Sequence, residues 1–269
     1  MERIQADGLS ADRVREPLRS AWHDRSLRSL TMHDSRSSVA YGHNEAMEHR
    51  VYATADDLAV AAASFIADEI EENEQLLLGL AGGSTPKATY VKLADMDIEW
   101  NGVTTWMTDE RWVPPDDPDS NQAMVRESLG TEGRIRFLAP NTRLQYASAS
   151  ARRMTRSMGC LMNRNPSRSV TMLGMGDDGH TASLFPGTSA LSVAGSSYVV
   201  NWVSHLDTWR LTASFGLLAT SDVVLFLVAG VSKAQVVAQI AAGDDYPAGG
   251  VTAREQVIWM LDEAAASQL

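Results

Sequence analysis

Short apolar runs alternate along the chain with longer stretches in which apolar residues recur every three or four positions. The first such stretch follows Thr54, a hydroxyl three residues before Asp57 in a capping-box-like arrangement. Leu58, Ala62, Phe65, Ile66 and Ile70 then make one apolar stripe, which predicts a surface helix with a single buried face. The run from Gln75 to Ala81 stops at Gly82-Gly83 and predicts a buried strand. Ser84, Thr85 and Pro86 open the next helix, with proline in its first turn and a hydroxyl ready to cap; it carries Tyr90, Val91 and Leu93. The same alternation predicts strands at Val103–Met107, Ile135–Leu138, Val170–Leu173, Tyr198–Trp202, Trp209–Thr212, Val223–Val228 and Val257–Leu261. Further helices are predicted from Ser120 to about Leu129, from about Ala147 to Asn163, and from a Ser232 cap through Ile240. Buried strands alternating with amphipathic helices indicate the α/β class, a mostly parallel sheet with helices on both faces.

Residues 1–46 break this pattern. They hold seven arginines, seven acids and three of the six histidines, and Pro17 interrupts a weakly helical patch around Val14, Leu18 and Trp22. The expectation is a disordered N-terminal extension, with Met47 as an alternative start. Residues 47–269 are then expected to form a single domain.

Charge and cysteine usage narrow the function. A net charge of -11 argues against binding to a phosphate backbone, so no nucleic-acid partner is expected and any anionic ligand must be held by a local site. No apolar run approaches the roughly 20 residues that cross a bilayer, so no membrane partner is expected. Cys160 is the only cysteine and has no partner for an internal disulfide or a metal knuckle, which points to a reducing, cytoplasmic compartment.

Candidate chemistry collects at strand exits, where open α/β sheets bind ligands. Four exits are polar: Gly82-Gly83-Ser84-Thr85, Asp109-Glu110-Arg111, Asp177-Asp178-Gly179-His180 and Gly230-Val231-Ser232-Lys233. In a parallel sheet all four face one side. The first lets backbone amides at a helix start approach an anion such as phosphate, although it matches neither a Walker loop nor GxGxxG; the plain alternative is a tight turn with no ligand. Arg111 suits a phosphate, a carboxylate or a developing oxyanion, or else an ion pair with Asp109 or Glu110 that holds the loop. His180, two residues after Asp178, suits a general base steadied by a carboxylate; the alternative is a structural histidine in a turn. Lys233 is one of only three lysines, and in the first turn of a helix it opposes the helix dipole, which favours a negative partner beside it. Arg210 is a second candidate for that anion. There is no GxSxG elbow, and Cys160 falls in a predicted helix without a histidine close by in the chain.

Three strings together resemble the 6-phosphogluconolactonase family: Ala81-Gly82-Gly83-Ser84-Thr85-Pro86-Lys87; Asp109-Glu110-Arg111-Trp112-Val113-Pro114 with Asp119-Ser120-Asn121; and Leu173-Gly174-Met175-Gly176-Asp177-Asp178-Gly179-His180-Thr181-Ala182-Ser183-Leu184-Phe185-Pro186-Gly187. The last is the most specific, and the likeness runs with gaps from about Val51 to the C-terminus. It implies a modified Rossmann-like fold shared with sugar-phosphate isomerases and deaminases. It implies hydrolysis of 6-phospho-D-glucono-1,5-lactone to 6-phospho-D-gluconate, the second step of the oxidative pentose phosphate pathway. By position, His180 matches the family's general base, Asp178 its orienting carboxylate, and Arg111 and Asp109 the arginine and acid near the substrate. Gly82, Gly83, Ser84 and Thr85 match the sugar-phosphate loop, while Arg210 and Lys233 match the cations on the 6-phosphate. The expected partner is a small sugar phosphate, with no cofactor and no metal, and the chain is expected to act as a monomer or weak homodimer.

This chain departs from the family's pattern in places. His205-Leu206-Asp207-Thr208-Trp209 replaces a lysine- and proline-rich loop before Arg210. The segment from Arg134 to Ser169 is rich in arginine (Arg152, Arg153, Arg156, Arg164, Arg168), and Tyr246-Pro247-Ala248-Gly249-Gly250 replaces a serine-containing turn. Two rival readings remain: a glucosamine-6-phosphate deaminase-type isomerase, and a non-catalytic sugar-phosphate sensor. The isomerases differ after the histidine, where this chain has Thr181-Ala182-Ser183-Leu184-Phe185.

Overall fold

A computed structural model of the protein describes residues 48–130 and 135–269. The extension expected over residues 1–46, and with it the alternative start at Met47, lies outside the described residues. Seven strands pair in one wholly parallel sheet: β1 (Glu48–Tyr52), β2 (Leu76–Leu80), β3 (Val103–Met107), β5 (Arg136–Leu138), β6 (Arg168–Leu173), β9 (Val223–Val228) and β10 (Gln256–Asp262). Their order across the sheet is β1-β10-β9-β6-β2-β3-β5. From β2 the chain moves outward to β3, and from β6 it moves the other way to β9. The gap between the exits of β2 and β6 is therefore the topological switch point, where such sheets receive ligands.

Side-chain alternation along the strands feeds two apolar cores. Val223, Leu225 and Leu227 of β9 join the core beneath helices α1 (Ala55–Glu72), α2 (Ser84–Ala94) and α3 (Asn121–Leu129). Val224, Phe226 and Val228 join the opposite core, beneath α4 (Ala147–Met162), the single turn α5 (Phe215–Leu218) and α6 (Ala234–Ala241). Phe226 and Trp259 stack there with centroids 4.2 Å apart. Helices on both faces are as the pattern predicts. Thr54 caps α1 as expected, its Oγ1 accepting the Asp57 N–H at 3.1 Å.

Several expectations need correction. Tyr198–Trp202 and Trp209–Thr212 are strands, but they lie outside the main sheet. As β7 (Tyr198–Val203) and β8 (Thr208–Ala213) they form an antiparallel three-stranded sheet with β4 (Asp109–Arg111), in the order β4-β8-β7. Asp109-Glu110-Arg111 is thus itself a paired strand. β1 had no counterpart in the pattern because its residues, Glu48-His49-Arg50-Val51-Tyr52, form a charged edge strand without an apolar run. The two hydroxyl caps expected at Ser84 and Ser232 are also absent. Gly83 occupies the N-cap of α2 with φ +106°, a conformation glycine tolerates, and α6 begins after a short 3₁₀ turn with Lys233 at its N-cap.

Candidate active site

The four polar strand exits meet in one cleft of about 500 Å³. Gly82, Gly83, Ser84, Thr85, Asp109, Arg111, Asp178, His180, Arg210 and Lys233 all line it. No candidate from the sequence is left outside.

His180 sits in a tight loop after β6. The Gly176 N–H donates to the His180 carbonyl at 2.9 Å, and the Gly179 N–H to the Gly176 carbonyl at 3.1 Å. A Cβ on residue 176 would fall 2.1 Å from His180 Nδ1, so the imidazole lies directly against bare backbone. The ring also stacks on Phe185, with centroids 3.9 Å apart and planes 24° from parallel. Nδ1 lies 2.6 Å from Asp178 Oδ1, and the same oxygen accepts the His180 backbone N–H at 3.2 Å. Burial by itself would raise the Asp178 carboxyl, but the hydrogen bonds and charge of His180 outweigh it and hold the group at about 2. Asp178 is therefore ionised at neutral pH. It favours the tautomer with hydrogen on Nδ1 and leaves Nε2 with a lone pair for water or substrate. The departure at Tyr246–Gly250 supports this loop from outside: the Ala248 N–H donates to the Gly179 carbonyl at 2.9 Å, and Tyr246, its hydroxyl bonded to Gln239, packs against Gly179.

A second group of residues builds the floor. Strand pairing sets Arg111 directly opposite Arg210. Like charges facing each other across strands are unfavourable unless an anion is brought between them. Arg111 Nη1 donates to the Asp119 carbonyl. The Nε of Arg210 is buried and, among the described residues, has no hydrogen-bond partner. Burial first, and then the charge of Arg111, pulls the Arg210 guanidinium below its ordinary value, partly offset by Asp109, Asp119 and Glu110. The loop lacking lysine and proline does not displace Arg210, because the hairpin is fixed by β7–β8 pairing, by Asp207 at φ +47°, and by Trp202 against Trp209 with centroids 5.0 Å apart.

Neither acid beside Arg111 forms the ion pair considered from the sequence. Glu110 is fully buried and turns toward α3. Its Oε1 accepts the Arg111 and Asn121 N–H groups at 2.8 and 2.7 Å, and its Oε2 accepts the Gln122 N–H at 2.8 Å and the Ser120 hydroxyl at 3.2 Å. Burial pushes the Glu110 carboxyl up, and these N–H donors pull it back in part. Asp109 is also buried; its Oδ2 accepts the Ser183 hydroxyl at 2.6 Å and its Oδ1 the Asn121 amide at 3.2 Å. The arginine-rich segment lies away from the cleft. Arg152, Arg153 and Arg156 are exposed on α4, and Arg168 pairs with Glu69 and Glu255.

Sequence reasoning missed Asn121, Ser183 and Phe185 as cleft residues, and although it expected a negative partner beside Lys233 it did not identify that partner as Asp177. Lys233 Nζ lies 2.5 Å from Asp177 Oδ1. All four residues lie inside the three strings already singled out, so their presence was legible. Their hydrogen bonds span up to 74 residues and were not.

A parallel α/β sheet whose switch-point cleft joins a carboxylate-held imidazole to two arginines and a lysine has the charge and shape that suit a small anionic ligand. The chain belongs to the family described as glucosamine-6-phosphate isomerases/6-phosphogluconolactonase, whose model matches residues 50–259. A 6-phosphogluconolactonase from Nostoc is 33% identical over 213 residues, which cover 74% of this chain and 87% of that protein. The structure of 6-phosphogluconolactonase from Trypanosoma brucei superposes with a TM-score of 0.71 at 29% identity, over 84% of this chain and 100% of that one. A monomeric glucosamine-6-phosphate deaminase superposes equally well, with a TM-score of 0.71 at 25% identity over 83% of this chain and 100% of that one. The fold is therefore common to both activities in the family, and the side chains of the cleft must separate them. No helix among the described residues is long and apolar enough to cross a membrane.

Proposed function

We propose that this chain hydrolyses 6-phospho-D-glucono-1,5-lactone to 6-phospho-D-gluconate, within one catalytic domain over residues 47–269. The observation that carries the reading is the carboxylate-held imidazole of His180 in the same cleft as Arg111, Arg210 and Lys233. Kinship with 6-phosphogluconolactonases at about one-third identity supports it.

Nε2 of His180 removes a proton from water as the water oxygen bonds to the lactone carbonyl carbon. Charge that gathers on the carbonyl oxygen is met by Arg111. Collapse of that oxyanion breaks the bond from C1 to the ring oxygen, and the imidazolium returns its proton to the departing oxygen, which becomes the C5 hydroxyl. The new carboxylic acid then ionises. Asp178 stays ionised throughout and steadies the imidazolium. Arg210, Lys233 and the amides of the Gly82–Thr85 turn bind the remote phosphate, a helix N-terminus being suited to anions. The balance of atoms needs only water and lactone.

The isomerase alternative requires a carboxylate free to carry a proton between neighbouring carbons. Asp109 is buried and held by the Ser183 hydroxyl on one oxygen and the Asn121 amide on the other, which favours a structural role over a proton-carrying one. The exposed, unpaired Cys160 supports a reducing, cytoplasmic setting, and a monomer or weak homodimer is part of the same proposal. The direct test is a stopped assay with freshly prepared 6-phosphoglucono-lactone, corrected for spontaneous ring opening. The chain is expected to shorten the lactone's lifetime in proportion to enzyme concentration and to release no ammonia from glucosamine 6-phosphate. An unchanged lifetime, or ammonia release, would overturn the reading.

A further inference from the structure

Of the two arginines and one lysine that line the cleft, only Lys233 has a carboxylate within ion-pair distance among the described residues. That anion is Asp177, whose Oδ1 meets Lys233 Nζ at 2.5 Å and accepts the Ser232 hydroxyl at 3.0 Å. The two partners are unequal. The Lys233 side chain is 20% exposed, whereas that of Asp177 is 69% exposed. The lysine is thus the fixed member, and the carboxylate reaches it from the solvent side. The pair joins the exits of β6 and β9, which are neighbours in the sheet. Consecutive carboxylates hold two different groups of the cleft: Asp178 holds His180, and Asp177 holds Lys233. The hydrogen bonds from Lys233 and Ser232 hold the Asp177 carboxyl below its ordinary value, so it carries its charge wherever a phosphate would be bound.

We propose that Asp177 is a resident counter-anion for Lys233, holding the ammonium in place while the cleft is empty and yielding it to the phosphate of an incoming ligand. Asp177 is in this sense a positioning residue that sets affinity for phosphorylated ligands and takes no part in ring opening. The inference rests on the reading that Lys233 receives the phosphate. Ion pairs this open to water are weak, so the carboxylate is exchangeable. A phosphate dianion can displace it, whereas a neutral sugar lactone offers Lys233 nothing in return. The carboxylate therefore lowers phosphate affinity below what Lys233 would otherwise give, for substrate and product alike, and so favours release of the phosphorylated product.

The test is Asp177→Asn, which keeps an oxygen for Lys233 and Ser232 but removes the charge, with Asp177→Glu as the charge-retaining control. In Asp177→Asn, KM for 6-phosphoglucono-lactone and the calorimetric Kd for 6-phosphogluconate should both fall, by about two- to fivefold, while kcat does not rise. Hydrolysis of unphosphorylated glucono-lactone should keep its KM, and Asp177→Glu should resemble the wild type. In a Lys233→Ala background the gain should vanish. If Lys233→Ala weakens phosphate-ligand binding but Asp177→Asn leaves it unchanged or weakens it too, the counter-anion role is wrong and the phosphate site stands. A gain that persists without Lys233 also overturns the role. If Lys233→Ala leaves both KM and Kd untouched, the phosphate binds elsewhere and the proposed site fails together with this inference. Unaltered thermal melting establishes that each variant is folded.

Discussion

His180→Ala is expected to lose about 10²- to 10⁴-fold in kcat, the range a positioned general base contributes, while still binding 6-phosphogluconate. The imidazole is pinned on three sides: by Asp178 at Nδ1, by Phe185 on one face, and by the backbone of Gly176. None of these contacts belongs to the cations proposed for the phosphate, so binding should survive loss of the ring. The loss falls on kcat and kcat/KM together, as for an interaction made in the transition state. Because alanine leaves Phe185 without its stacking partner, His180→Gln serves as a second variant that fills more of the space. Thermal melting of both separates lost chemistry from lost folding. Wild-type-like turnover in a folded variant would remove the histidine from the mechanism.

Arg210→Met should show the opposite profile. Arg210 faces Arg111 across the β4–β8 pair, and its Nε is buried without a partner among the described residues. An arrangement that leaves a buried donor unsatisfied beside a like charge is a cost to the empty protein. It becomes favourable only when an anion enters. Methionine keeps much of the apolar stem and removes the charge. KM for the phosphorylated lactone should rise by about 10- to 100-fold, corresponding to about 1.5–3 kcal/mol for a hydrogen bond to a charged group. The melting temperature of the ligand-free protein should stay level or rise, and the stabilisation that wild type gains from 6-phosphogluconate should shrink with the lost affinity. An unchanged KM would place the phosphate away from Arg210. A large drop in melting temperature would mark the arginine as a structural residue.

The sequence made the elements of the main sheet largely legible, because buried parallel strands leave an unmistakable mark. β9 is apolar at all six positions and its bounds are as predicted; β2 is buried along its length. The polar turns at strand exits were legible for the same reason, since three of the four end an apolar run at glycine. What escaped was pairing. An alternating segment such as Trp209–Thr212 announces a strand but not its neighbour, and its partner β4 is only three residues long and begins with two acids. That small sheet is what brings Arg210 to Arg111. The direction of side chains escaped as well. Glu110 and Arg111 are adjacent and opposite in charge, which from the sequence alone admits an ion pair. Strand alternation sends them to opposite sides, one into the first turn of α3 and the other into the cleft. The Ser84 and Ser232 caps failed for local reasons: Gly83 takes the N-cap position ahead of Ser84, and the Ser232 hydroxyl bonds to Asp177 instead.

One small phosphorylated ring should span from the imidazole to the cations, and a crystal structure of the protein with 6-phosphogluconate would show whether it does. The product's C1 carboxylate should lie within hydrogen-bonding distance of His180 Nε2, about 3 Å, with its phosphate on Arg210 and Lys233 and Asp177 turned away from the lysine. A phosphate seated elsewhere, or a C1 carboxylate out of reach of the imidazole, would contradict it.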